Sequence, residues 1–205
     1  MTRSSATAAR AGDTVHLSAP RMRSAVSLEE SLARRRSVRE FQGRDLSWDD
    51  IGQLLWACQG VTDPQGFRTA PSAGALYPLD AFVITSSGVY RYHPEQHEVR
   101  RMADRDVRDR IRKAALDQDA LAAPCIIAIA GVRQRTARKY GERAWRYVVL
   151  EAGHAAENLL LQAIALGLCA VPIGAFDDDA VRRVLDAPAD DEILLLIPVG
   201  HAVAD

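Results

Sequence analysis

The decapeptide LARRRSVREF, Leu32 to Phe41, gathers Arg34, Arg35, Arg36 and Arg39 around Ser37. If the chain is extended there, Arg35, Ser37 and Arg39 fall on one side with a period of two and offer two guanidinium forks and a hydroxyl to the same space. Guanidinium donors pair bidentately with phosphate oxygens, so this set suits a phosphate. The competing reading is a solvated helix end whose aliphatic stems cover apolar surface. The chain carries 26 Lys and Arg against 27 Asp and Glu, a formal net charge of −1. The cluster is therefore local, which argues against a basic surface for nucleic acid or anionic lipid and for a small anionic ligand. No Gly-rich phosphate cradle of the G-x-G-x-x-G or G-x-x-x-x-G-K kind is present, so a nucleotide here would be held by side chains.

Three further runs have residue types suited to a site. TAPSAGALYPLD, Thr69 to Asp80, is a Pro-bounded run of small residues with one tyrosine, and small residues let a backbone approach a flat ligand closely. It reads equally as an ordinary loop with Tyr77 in the core. AVPIGAFDDD, Ala170 to Asp179, breaks a buried strand at Pro172 and Gly174 and exposes N–H groups in a turn that also leads into a helix. In RYVVLEAGHAAENL, Glu151 and His154 stand three apart and could pair on one helix face, a histidine at an interface being the simpler identity. No second His or Cys stands at metal-ligand spacing beside His154, the other histidines being scattered over arm, hairpin and tail, and neither a G-x-S-x-G elbow nor a nucleophile with its base is visible. No metal and no hydrolase chemistry are expected.

The elements that must position these residues can be read from caps and periodicity. Ser27 with Glu30 forms a capping box for a short helix that ends in the arginines, and Ser47 with Asp50 starts a second helix that stops at Gly60. DAFVITSS predicts a strand. Val89 to Tyr92 and Glu98 to Met102 predict a hairpin about Pro94. RDVRDRIRKAALDQ predicts a helix, APCIIAIAGV a buried strand, and Arg143 to Leu168 a long helix, apolar nearly all round at its end. CAVPIGAF, DDDAVRRVLD and EILLLIPVGH follow as strand, Asp-capped helix and last buried strand. Strands and helices mix without strict alternation, which predicts an α+β fold. Residues 1–26 read as a flexible or extended arm, and residues 27–205 as one domain.

The 205 residues, 48% hydrophobic and 26% charged, suffice for one sizeable core. Cys58, Cys125 and Cys169 are far apart in apolar runs and read as reduced core residues. With no long apolar span and no hydrophobic N-terminal region, a cytoplasmic location is expected.

Taken in order, RRRSVREF, PSAGALYP, GVYRYHP, RYVVLEAGHAAENLLLQAIALGL, VPIGAFDDDAV and LLLIPVGH resemble the nitroreductase superfamily, and within it the SagB-type dehydrogenase branch that includes thiazole and oxazole oxidases. The resemblance implies an α+β fold with a central mixed or antiparallel sheet and a long central helix, in a homodimer with FMN at the subunit interface. It assigns Arg35, Arg36, Ser37 and Arg39 to the FMN phosphate and ribityl chain. Pro71, Ser72, Ala73 and Gly74 correspond to the segment that reaches the flavin from the other subunit. Pro172, Ile173, Gly174 and Ala175 form the turn whose N–H faces flavin N5. Ala73 stands where a serine is common in the superfamily, and Gly174 where a glutamate is commoner. Arg146 and Tyr147 occupy the position of a Lys-Tyr pair in azoline oxidases.

The activity implied is ping-pong oxidoreduction, with hydride passing from NADH or NADPH to FMN N5 and on to a small organic acceptor. Tyr77 and Tyr147, with Trp145, are expected to line the space above the flavin, since flat substrates stack on aromatics and phenols donate protons. Two alternatives are an azoline peptide dehydrogenase within a tailoring complex and a non-catalytic FMN carrier or complex subunit.

Overall fold

The computed structural model describes residues 13–203. Seven strands form one sheet in the order β1-β4-β3-β2-β5-β7-β6, with every ladder antiparallel. The strands are β1 (Thr14–His16), β2 (Leu79–Thr85), β3 (Gly88–His93), β4 (Glu98–Ala103), β5 (Cys125–Gly131), β6 (Cys169–Ala170) and β7 (Glu192–Gly200). The helices are α1 (Leu28–Arg34), α2 (Trp48–Gln59), α3 (Arg108–Ala114), α4 (Arg133–Tyr140), α5 (Ala144–Ala165) and α6 (Asp178–Leu185).

Helices cover both faces of the sheet, so its inner strands are apolar on both sides. Every residue of β5 is buried. One core joins α2 and α5 to the sheet through Leu54, Leu55, Ile127, Ile129, Val148 and Leu159. The other joins α3 and α6 through Phe82, Ile111, Ile126, Val181, Leu185 and Leu196. Three of the helices start on side-chain caps that local sequence supplies: Ser27 Oγ accepts from Glu30 N, Ser47 Oγ from Asp50 N, and Asp177 Oδ1 from Ala180 N. All three cysteines are buried and free.

Several expectations change on contact with the fold. The ordered chain begins before Ser27: Thr14–His16 pair with Arg100–Glu98 at the sheet edge, and Arg21 exchanges hydrogen bonds with Gln53 of α2. Residues 13–26 therefore lie on the surface of their own domain, while residues 1–12 fall outside the described part. The α3 helix is shorter than its amphipathic pattern because Leu116 and Asp117 adopt left-handed φ values of 60° and 55°. CAVPIGAF pairs with β7 as a strand only over Cys169–Ala170, since Pro172 has no N–H to donate, and Ile173 then makes a single bridge to Leu196. The α4 helix was not expected at all.

The long helix rests on the sheet where Gly131 ends β5. A Cβ there would meet Val148 Cγ1 at 2.5 Å and Leu194 Cδ1 at 3.0 Å. Gly131→Ala is thus expected to lower unfolding stability by about 1–3 kcal/mol through overpacking, measured by denaturant titration. Unchanged stability would mean that α5 is free to lift away from the sheet at this point.

Candidate functional site

The α1 helix stops at Arg35, where φ −53° and ψ 124° turn the chain into an extended segment. That segment runs beside β6: Ser37 forms a parallel bridge to Ala170, and Val38 N donates to Ala170 O at 3.2 Å. Ala170 leads directly into Pro172–Ala175. The fold thereby brings together two of the three segments that the resemblance assigns to FMN, although Ser37 and Ala170 lie 133 positions apart in sequence.

Within the arginine cluster the side chains divide. Arg36 Nη1 donates to the carbonyls of Ala33 and Arg35, so this guanidinium caps the C-terminal end of α1. Among the described residues the half-buried Arg35 meets only Glu157 of α5, at 3.7 Å, and Arg39 reaches the Ser37 carbonyl at 3.5 Å. Neither contact is strong. Arg35 and Arg39 therefore keep most of their donors for another acceptor. In the turn, Pro172, Gly174 and Ala175 are exposed while Ile173 is buried against Leu196, with which it exchanges two backbone hydrogen bonds. Gly174 N–H has no partner among the described residues, and nothing lies within 4 Å of where its Cβ would stand.

The third segment sits elsewhere on the domain. Ala73–Ala75 form a single 3-10 turn in which Gly74 and Ala75 have φ values of 64° and 53°, and Tyr77 follows at 45°. Ser72 Oγ accepts from Tyr77 N at 2.9 Å and closes this coil. Pro71 and Gly74 are exposed. A Cβ on Gly74 would stand 2.9 Å from Lys139 Nζ and 3.0 Å from Tyr140 OH, both at the end of α4.

The aromatic candidates separate. The Tyr77 hydroxyl accepts from Arg68 N, and the Arg68 guanidinium covers its ring at 4.7 Å, so Tyr77 is tied into the loop. Tyr147 packs edge-on against Tyr140 at 4.8 Å and so stands near Gly74. Trp145 belongs to another surface: it packs by Gly131 and lines a cavity with Asp177–Asp179 and Asp191. Arg146 is exposed.

Glu151 and His154 do not pair. Helical spacing puts them near one another, but Glu151 is 2% exposed and His154 lies on the open side of α5. Burial pushes the Glu151 carboxyl up to about 7, while the Ser72 hydroxyl and the Arg68 charge pull it down. Folding thus favours its protonated form: this group's contribution to stability is largest at low pH and is lost as pH rises from about 4.5 to about 7.

Sequence reasoning missed Lys139, Tyr140 and Arg68. The first two lie on α4, whose sequence RQRTARKY has no apolar stripe, although the basic last turn followed by Gly141 is a helix-end signal. Arg68 gave no local signal. Among the described residues no helix is long and apolar enough to cross a membrane.

Comparison with known proteins agrees with the α+β architecture. The model described as "Nitroreductase family" matches residues 32–201. MJ1384 of Methanocaldococcus jannaschii, a nitroreductase-family protein, is 42% identical over 199 residues that span 94% of this chain and 99% of its own. The crystal structure of a nitroreductase-family protein from Ralstonia eutropha JMP134 superposes with a TM-score of 0.83 at 27% identity, covering 97% of this chain and 92% of the other. A chain of the E. coli microcin synthetase McbBCD complex with truncated pro-MccB17 bound shares the fold, with a TM-score of 0.72 at 22% identity over 85% of this chain and 73% of the other. The match over most of the domain, together with the 42% identical relative that is covered almost end to end, makes this chain a member of the nitroreductase family.

Proposed function

We propose that this nitroreductase-family oxidoreductase works as a homodimer that binds FMN between its subunits, within residues 27–205, and belongs to the SagB-type branch. The observation that carries the reading is the bridge from Ser37 to Ala170, which sets the uncommitted Arg35 and Arg39 guanidiniums beside a turn with an exposed, unpartnered N–H at Gly174. That donor set fits an anionic, flat cofactor. FMN when bound supplies hydride chemistry at N5, with NADH or NADPH as reductant and a small organic molecule as acceptor.

The chain's own residues have distinct parts in this reading. Arg35 and Arg39 hold the phosphate with Ser37, and Arg36 stabilises the α1 end from which they extend. Gly174 N–H donates to the flavin ring edge, and the missing side chain leaves that approach open. Pro71, Ser72, Ala73 and Gly74 approach the flavin of the partner subunit. Tyr147, with Tyr140, borders the acceptor space and can donate a proton, while Tyr77 keeps the Ser72 loop coiled.

The dimer has its own support. On α5, Arg146, Val149, Leu150, Gly153 and His154 form one exposed stripe, with Val149 46% and Leu150 51% exposed. Nothing lies within 4 Å of a Cβ on Gly153, so another helix can approach there. Leu28 and Leu32 of α1, which packs on α5, are exposed as well. Three buried, free thiols suit a cytoplasmic setting.

The deciding measurement is the visible spectrum of the purified protein before and after NADH or NADPH is added without air. Flavin bands at about one FMN per chain that bleach are the expected result. Flavin that stays oxidised with both nucleotides would replace the reductase reading by a peptide-tailoring dehydrogenase or a carrier, and a protein that cannot be loaded with FMN would remove the site.

A further inference from the structure

We propose that the basic corner where α4 leads into α5, formed by Arg138, Lys139 and Arg143, takes the phosphates on the adenosine side of the nicotinamide reductant and selects NADPH over NADH. The inference rests on the flavin reading above and deepens it, since in that reading the reductant uses the space that Tyr140 and Tyr147 border.

The charge at this corner is concentrated and uncommitted. RQRTARKYGER, positions 133–143, carries five cations against one carboxylate, Glu142, in a chain whose formal net charge is −1. One of the five is spent: Arg135 turns back to the sheet and donates to both oxygens of Asp80, at 3.1 and 2.8 Å. The other four are exposed, and none of them enters an ion pair among the described residues. One cation in the last turn would satisfy the dipole of α4, whereas several close together repel one another. A local surplus of this kind in a chain without net positive charge raises the concentration of anions at that spot.

Geometry joins the corner to the acceptor space. Lys139 Nζ lies 5.6 Å from the centre of the Tyr140 ring, and that ring packs edge-on against Tyr147 at 4.8 Å. A Cβ on Gly74 would stand 2.9 Å from the same ammonium and 3.0 Å from the Tyr140 hydroxyl, so the bare backbone of Gly74, at φ 64°, gives both polar groups their room beside the Ala73–Ala75 turn. Arg138 and Lys139 are neighbours on one helix and diverge by about 100° around its axis, so a single small anion cannot meet both. A ligand with phosphates spaced along its length can. NADPH is such a ligand, and its 2′-phosphate, the group NADH lacks, would form charge-assisted hydrogen bonds with these side chains.

The test is calorimetric titration of the purified protein at low salt with adenosine 2′,5′-bisphosphate and with adenosine 5′-monophosphate. Wild type should bind the bisphosphate about tenfold more tightly, and the preference should shrink as salt is raised. Lys139→Gln with Arg143→Gln should abolish the preference. Arg110→Gln with Arg183→Gln, the same change of charge at exposed positions on α3 and α6 outside any ion pair among the described residues, should keep it. In the flavin-loaded protein the first pair should raise KM for NADPH about tenfold and leave KM for NADH and both kcat values in place. Equal affinities for the two nucleotides in wild type, or a preference that survives Lys139→Gln with Arg143→Gln, would overturn the proposal. So would a hexaglutamate peptide that binds as tightly as the bisphosphate, which would make the corner a site for an acidic peptide. If the protein takes up no FMN, the flavin reading fails by itself, and the nucleotide titration still decides whether this corner recognises the 2′-phosphate.

Discussion

Replacing Arg35 and Arg39 together by alanine is expected to raise the FMN dissociation constant by about 10²–10⁴-fold while far-UV circular dichroism stays the same. Hydrogen bonds to a charged partner contribute about 1.5–3 kcal/mol each, and two such side chains are removed. The fold should not suffer, because Arg35 contributes only a 3.7 Å contact to Glu157 and Arg39 a marginal contact to a carbonyl. Arg36→Ala is the internal control: its guanidinium is spent on Ala33 and Arg35 carbonyls, so its loss should shift affinity far less. Fluorescence titration of the apoprotein with FMN reads both. Equal affinities in the double variant and wild type would return the cluster to a solvated helix end.

If the proposed homodimer uses this face of α5, changing Val149 and Leu150 together to lysine should give monomers and empty the proposed flavin site in the same step. Each apolar side chain contributes about 1.5–3 kcal/mol when fully covered, and each lysine would bring a charge into a dry contact. With the exchange repeated in both subunits, the dimer dissociation constant should rise by more than about 10³-fold. Sedimentation with flavin absorbance recorded alongside separates the cases. Monomers that keep their FMN would show that one chain suffices, and a dimer that persists would move the interface off this face of α5.

How much of this was legible beforehand depends on the range of the interaction. Caps are local, so Ser27, Ser47 and Asp177 announced their helices, and the hairpin announced itself through β-rich arms about Pro94. The α4 helix stayed hidden because of its eight residues only Thr136 is buried; it is held by tertiary contacts such as Arg135 to Asp80, which no helical periodicity encodes. Likewise, three residues of β1 are too few for an alternating pattern to register. The site segments could be nominated one at a time, each by its composition. Their juxtaposition could not, because Ser37 meets Ala170 through sheet topology. Spacing also misjudged Glu151: three residues on a helix predict a neighbour, but which side of that helix is buried depends on the loop that covers it.

The position of β7 bears on how the protein is made. The most C-terminal strand among the described residues is an inner strand of the sheet, between β5 and β6, and supplies Leu196 to one core and Ile197 and Val199 to the other. Until residues 192–200 have emerged from the ribosome, β5 has a bare edge seven residues long, apolar on both faces and rich in isoleucine. Such an edge invites pairing with other nascent chains. Synthesis of this protein should therefore be more vulnerable to aggregation than the stability of the finished sheet suggests, and chains stalled before β7 should be natural clients for chaperones.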